Sequence, residues 1–199
     1  MKIIVLDASY EQKIALLNNS KCVYFKQSEE QKADTFMKLV DCLFKENSMC
    51  IKDIDGIAVN VGPGSFTGIR VTVSTAKGLG FANKAKFIKF DSFDYFEKNQ
   101  NIILTGFSNF VYLKTSNGEA SCIEIDHLDK NLEYVVSDKN LALKLENLGF
   151  KVQVKQLLSF DKIDAIVNGD LINISDIRPL YLRKSQAEIQ RENTLKDEK

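Results

Sequence analysis

Three glycines and one of the chain's two prolines fall within Val61-Gly-Pro-Gly-Ser-Phe-Thr-Gly68, which continues as Ile69-Arg70. Glycines at this spacing, between a strand and a helix start, bring several backbone N–H groups to one point where an anion could bind. No lysine follows in the GxxxxGK[ST] arrangement and no GxGxxG is present, so neither a P-loop nor a dinucleotide fingerprint is met. The same glycines equally suit a turn whose backbone must approach another segment closely. Both readings are open for Gly62, Pro63, Gly64, Ser65, Phe66, Thr67 and Gly68. Ser65 and Thr67 are also placed to cap the helix that follows.

Other chemistry is sparse. The single histidine, His127, sits in Ile-Asp-His-Leu-Asp with no acidic and serine set around it, which excludes a Ser–His–Asp hydrolase. One imidazole does not build a metal site. The four cysteines, at 22, 42, 50 and 122, form no C-x-x-C pair and read as reduced residues, not as a disulfide framework or zinc site. No cofactor or metal is expected. Lysine plus arginine equals aspartate plus glutamate at 27 each. That balance does not support direct tRNA binding by this chain alone, since phosphate neutralisation demands a basic excess or stripe. Ile3-Ile-Val-Leu6 is cut short at Asp7, and no apolar run approaches membrane-spanning length. The expected compartment is the cytoplasm, with no membrane partner.

The elements that must position these residues follow from periodicity. At 199 residues and 44% hydrophobic, the chain can bury one sizeable core or two small lobes sharing a surface. Lys2–Leu6, Lys13–Leu17 and Cys22–Lys26 read as strands, with Asn18-Asn-Ser20 turning a hairpin. From Gln31 to Asn47 the period changes: Phe36, Leu39, Val40, Leu43 and Phe44 form a helical stripe. Ile54–Val61 is a buried strand. Thr67–Ala82 is ambiguous, because Val71-Thr-Val-Ser-Thr75 favours a strand by propensity, whereas as a helix it lines up Ile69, Val73, Ala76 and Gly80. Lys86–Phe90 is a strand and Ser92–Lys98 a short helix. The order βββαβαβ is that of a ribonuclease-H-like lobe. Ile102–Thr105, Phe110–Lys114, Ala120–Ile125, Glu133–Val136 and Lys151–Val154 then read as strands, and Asp138–Leu148 and Phe160–Val167 as helices. This is a loose, smaller repeat of the first lobe.

The run GPGSFTGIR, followed by TAKGLGFA, resembles the signature of the bacterial TsaB (YeaZ) family, the non-catalytic partner subunits of the machinery that makes threonylcarbamoyladenosine (t6A) on tRNA. The likeness is specific over Ile54–Ala82 and looser at Met1–Ser9 and at Arg178-Pro-Leu-Tyr-Leu-Arg183. It implies an α/β chain of two ribonuclease-H-like lobes of the actin/hexokinase/Hsp70 (ASKHA) superfamily, the second reduced. The first lobe would span 1–98, the second 99–183, and 184–199 would be a charged tail. It also resolves Thr67–Ala82 as a helix.

Active members of that superfamily clamp a nucleotide between the lobes, with a carboxylate near the first hairpin. Asp7 occupies that place, but Ala8-Ser9-Tyr10-Glu11 lacks the glycine that would let a phosphate approach. In the second lobe only Asn168-Gly169-Asp170 offers a turn. The catalytic paralogue carries a metal-binding histidine pair on its first long helix, where this chain has Gln31-Lys-Ala-Asp-Thr-Phe36. The resemblance therefore implies a pseudo-enzyme that dimerises with a TsaD-type transferase, helps recruit a TsaE-type ATPase, and meets tRNA only through the complex. It would support t6A formation at adenosine 37, and on its own it could form a homodimer. The implied docking face is built from the two helices of the first lobe, with Phe36, Val40, Ile69, Val73 and Ala76 at its centre and Arg70 and Lys77 towards the rim. The alternative is a small ASKHA-fold ATP-dependent phosphotransferase or hydrolase using Asp7 and the glycine loop.

Overall fold

The computed structural model describes residues 1–30 and 32–182. Its first sheet contains β1 (Lys2–Asp7), β2 (Gln12–Asn18), β3 (Lys21–Ser28), β4 (Gly56–Asn60) and β5 (Lys86–Phe90), in the order β3-β2-β1-β4-β5. β1, β2 and β3 are antiparallel, whereas β4 runs parallel to β1 and β5 parallel to β4. Helices α1 (Ala33–Glu46) and α2 (Phe66–Asn83) make the crossovers.

The second sheet repeats this plan. β6 (Ile102–Thr105), β7 (Phe110–Lys114), β8 (Ala120–Glu124), β9 (Glu133–Val136) and β10 (Lys151–Val154) lie in the order β10-β9-β6-β7-β8. Its reduction is specific: α3 (Lys139–Asn147) links β9 to β10, but the place of the first crossover helix holds only the 3-10 turn Ile125–His127.

Alternation along the strands sorts the core into layers. Ile4, Leu6, Ile14, Leu16, Ile57 and Val59 face α1 and α2, and their neighbours Ile3, Val5, Ala15, Leu17 and Ala58 face the second lobe. Ile103, Val111, Leu113 and Val136 turn outward under Leu141 and Leu145 of α3.

Two expected helices are shorter than their sequence pattern. Ser92–Lys98 is a 3-10 turn over Ser92–Tyr95, where Asp91 accepts from the N–H groups of Phe93 and Asp94. Phe93, Tyr95 and Phe96 are all buried, a spacing that one face of a continuing α-helix does not satisfy. Phe160–Val167 divides into the 3-10 turn Phe160–Lys162 and one turn of helix, α4 (Asp164–Val167).

After β10 the chain returns to the first sheet. Phe160, Ile163 and Ile166 join the layer that contains Ala15 and Leu17. Ile172 bridges Phe87 of β5, and Leu180 N donates to Val61 O at 2.7 Å. The stretch from Phe160 to Leu180, assigned by sequence position to the second lobe, thus packs on the first. The expected tail at 184–199 lies outside the described residues.

Candidate functional site

β1 ends on Asp7, which is 2% exposed and therefore needs donors. One oxygen, Oδ1, accepts from Ser9 N and from Ser9 Oγ, both at 2.7 Å. The other, Oδ2, accepts from the Tyr95 hydroxyl at 2.5 Å. Asn60, at the end of β4, extends the network by donating to Ser9 Oγ and Ser92 Oγ and accepting from Gly62 N. Ser9, Asn60 and Ser92 are buried as well. Burial, reinforced by Asp7, pushes the Tyr95 phenol well above its usual pKa and keeps it a donor.

The glycine loop closes onto this network. Ser65 N donates to Ser9 O at 2.6 Å. A Cβ at Gly64 would lie 2.4 Å from Ser9 O, and one at Gly68 would lie 1.8 Å from Ala8 O. The glycines let α2 rest its first turn directly on the β1–β2 hairpin. The backbones of the loop and the hairpin are thereby in direct contact, the close approach that the turn reading of 62–68 expects. Ser65 caps α2 by accepting from Gly68 N at 3.2 Å, while Thr67 is exposed and makes no cap.

Of the seven residues nominated for a docking face, five are core. Phe36, Val40, Ile69, Val73 and Ala76 are at most 5% exposed and pack against β1, β2 and β4. The helical stripe seen in the sequence faces the chain's own sheet, because a sheet face of this size needs both helices to cover it. Lys77 is half-buried and Arg70 exposed. Arg70 finds no carboxylate among the described residues. Its guanidinium lies 3.9 Å from the Phe66 ring centroid, and its Nε donates to the Tyr181 hydroxyl at 3.1 Å. Tyr181 in turn stacks on Phe66 at 4.9 Å. The loop, the start of α2 and the Arg178–Leu182 segment are thereby tied together.

The solvent side of the same helices carries a different set. Thr67, Arg70, Ser74, Gly78 and Phe81 recur at helical spacing along α2 and are all exposed, Phe81 to 85%. A Cβ at Gly78 would meet open space. Met37 of α1 is 48% exposed and accepts a hydrogen bond from the Thr75 hydroxyl, so it borders the stripe. An exposed phenylalanine beside small residues and a methionine is a surface suited to a close-packed partner. Sequence periodicity missed these residues because it marks the face with more apolar positions, which is the core face. The buried polar set Ser9, Asn60, Ser92 and Tyr95 also went unnoticed, although Asn60 ends an otherwise apolar strand.

Between the lobes lies a cleft of about 910 Å³. Asp7, Ser9 and Tyr10 line one side and Thr105, Asp138 and Lys139 another. The Tyr10 hydroxyl crosses it to donate to Thr105 O at 2.8 Å. Burial raises the Tyr10 pKa well above the usual value, with smaller contributions from Tyr112, Asp7 and Asp138. Asp138 accepts from Thr105 Oγ1 and caps α3 through the N–H groups of Asn140 and Leu141. The N–H groups of Ser9, Asn140 and Leu141 beside the cleft thus all donate to carboxylates of the chain itself. Among the described residues no cluster of three or more histidine, cysteine or acidic side chains is placed to hold a metal ion. None of their helices is long and apolar enough to cross a membrane.

Known proteins share parts of this arrangement. The family model for TsaD, the tRNA N6-adenosine threonylcarbamoyltransferase, matches residues 23–106. TsaB of Escherichia coli (strain K12), a tRNA threonylcarbamoyladenosine biosynthesis protein, is 27% identical over 90 residues, or 44% of this chain and 39% of that protein. The tRNA N6-adenosine threonylcarbamoyltransferase of Tropheryma whipplei (strain Twist) is 50% identical over 44 residues, or 22% of this chain and 11% of that protein. The matched stretch therefore spans under two fifths of either relative. The solved structure of YeaZ from Pseudomonas aeruginosa superposes with a TM-score of 0.70 at 15% identity, covering 91% of this chain and 99% of that one. In sequence over 90 residues, and in fold over most of its length, this chain is similar to the TsaB (YeaZ) proteins.

Proposed function

We propose that this chain is a non-catalytic scaffold and activator subunit in t6A biosynthesis, which dimerises with a TsaD-type threonylcarbamoyltransferase and supports modification of adenosine 37 in tRNA. One juxtaposition carries the reading. Asp7 and the glycine loop are engaged by contacts within the chain, while the stripe ending at Phe81 is left to solvent. Likeness to TsaB, and to the TsaD family model over residues 23–106, supports a partner of the same fold, which would offer an equivalent helix pair. A stable contact of this kind buries about 1,200–2,000 Å² in total around a few apolar anchors. Met37, Ser74, Gly78 and Phe81 are the anchors, with Arg70 and Lys77 beside them. Activation would follow from binding one state of the transferase better than another. A TsaE-type ATPase would join the pair, and tRNA would be met through the assembly. Without its mate the chain would form a homodimer through the same stripe.

The test is co-purification with the transferase homologue of the same genome. The wild-type chain is expected to be retained, and Phe81→Glu and Ser74→Arg to lose roughly tenfold or more in affinity with unchanged melting. Retention of both variants at wild-type strength, or no engagement by the wild type, would overturn the reading. Val73→Glu is no substitute, because it buries a charge in the core. ATP titrated calorimetrically into the isolated chain is expected to give no binding heat. A tight site lost in Asp7→Asn would instead favour the phosphotransferase alternative.

A further inference from the structure

Charge along α2 is one-sided in a chain that is neutral as a whole. Between Gly56 and Phe90 no aspartate or glutamate occurs, whereas Arg70, Lys77, Lys84, Lys86 and Lys89 do. Arg70 and Lys77 lie within the helix and Lys84 is its C-cap residue, at a constant spacing of seven. At about 100° per residue that spacing keeps the three on nearly one line, with a rise of about 10.5 Å from each to the next. Thr75, whose hydroxyl meets Met37 of α1, lies about 160° round the helix from Lys77. The row therefore follows the flank of α2 away from α1, and Ser74, Gly78 and Phe81 lie between the row and α1.

Among the described residues none of the three forms an ion pair. Arg70 meets the Phe66 ring and the neutral Tyr181 hydroxyl. The elements packed beside α2 carry equal numbers of both signs. On α1, Asp34 pairs with Lys38 and Asp41 with Lys45, and Glu46 pairs with Lys26 of β3. Near the C-terminal end of α2, Lys2 and Lys52 stand with Asp53 and Asp55. Along the return segment, Lys86 and Arg178 stand with Asp170 and Asp176. Asp7 belongs with Ile3 and Val5 to the opposite face of the sheet. The face as a whole thus keeps the positive charges of α2, and the exposed Lys89 of β5 adds to them.

We infer that the partner presents a helix with carboxylates at seven-residue spacing, which meet Arg70, Lys77 and Lys84 while its small or apolar side chains close on Ser74, Gly78 and Phe81. This rests on the docking function proposed above and specifies the chemistry of the mating surface. Flanking charges at such a repeat set partner and register between paired helices. A phosphate backbone suits the face less, because Phe81 and Met37, 85% and 48% exposed, offer it no contact of its own kind. A second copy also suits it less. The carboxylates of its α1 are already paired, its α2 has none, and the two faces would bring like charge together.

Binding kinetics of the full chain with the transferase homologue of the same genome, followed across salt, test it. Raising sodium chloride from about 50 to about 500 mM is expected to slow wild-type association roughly tenfold. Lys77→Glu is expected to slow it roughly tenfold at the low salt, with thermal melting retained. A Lys77→Gln, Lys84→Asn double variant, in which asparagine still suits the left-handed C-cap, is expected to lose most of the salt dependence. Self-association of the isolated chain, read by sedimentation, is expected to tighten over the same range of salt. Wild-type association in Lys77→Glu, heterodimer kinetics indifferent to salt, or self-association that weakens with salt would each overturn the inference. If Phe81→Glu abolishes binding in that case, the docking reading stands without it. No engagement by the wild type at any salt removes the docking reading and the inference together. Retention of tRNA by the isolated chain, lost in Lys77→Glu, would assign the row to phosphates and overturn it as well.

Discussion

A carboxyl group at 2% exposure must be met by donors, and Asp7 is met by three. Tyr95 supplies the one that comes from another element. Tyr95→Phe keeps the ring packing against Phe90 and Phe160 but leaves Oδ2 without a donor. Its expected cost is about 1–3 kcal/mol, read from urea denaturation. Ser9 and Asn60 were hard to see in sequence because a buried serine or asparagine has the same letter as an exposed one. Asp94 makes a second residue-level test. Burial, and then the neighbouring Asp91 charge, raise its pKa above 3.8, against a hydrogen bond from Asp91 N that lowers it. An acid with a raised folded-state pKa binds more protons folded than unfolded, so its contribution is full below 3.8 and is lost as pH rises through the folded value. Asp94→Asn keeps an acceptor for Asp91 N. It is expected to flatten the decline that sets in as pH rises above about 3.8, followed by the denaturation midpoint at each pH.

At the scale of elements, α2 is where local preference and tertiary demand disagree most. Val71-Thr-Val-Ser-Thr75 has the β-branched composition of a strand. The helix prevails because Ser65 caps it, Thr72 bonds back to Gly68 O at 3.0 Å, and Ile69, Val73 and Ala76 reach the sheet together. Single-sequence periodicity could not weigh those contacts, and only the family resemblance resolved the ambiguity. The glycines of α2 are not equivalent, which makes a paired prediction. Gly68→Ala drives a methyl group into Ala8 O and is expected to prevent folding or cost several kcal/mol, as large steric conflicts do. Gly78→Ala meets nothing and is expected to stabilise by about 0.5–1 kcal/mol through helix propensity. Thermal melts of the two variants would check both signs. The strands of both sheets were legible from alternation, because each has one face per layer. The short turns at Ser92–Tyr95 and Phe160–Lys162 were not, since their burial follows interlobe contacts that have no period.

For the whole molecule, the layers decide what is left for others to touch. α1 and α2 cover one face of the first sheet, the second lobe and the Phe160–Ile166 segment cover the other, and α3 covers the far side of the second sheet. Among the described residues, the outer stripe of α2 and the cleft then remain as sizeable features open to solvent. The expected loss of transferase binding in Phe81→Glu belongs at this scale, because it removes a contact while leaving every layer intact. The lobe order could be read from the sequence, but the return of the chain after β10 could not: Ile163, Ile166 and Ile177 carry no mark of which sheet they will meet. That return has one more consequence. Ile172 and Phe87 exchange both main-chain hydrogen bonds, at 2.8 and 3.1 Å, and so occupy the outer rim of β5. Exposed rims recruit foreign strands. A chain shortened before Leu171 would bare this one, and ribbon-like self-association that grows with concentration is what light scattering should then record.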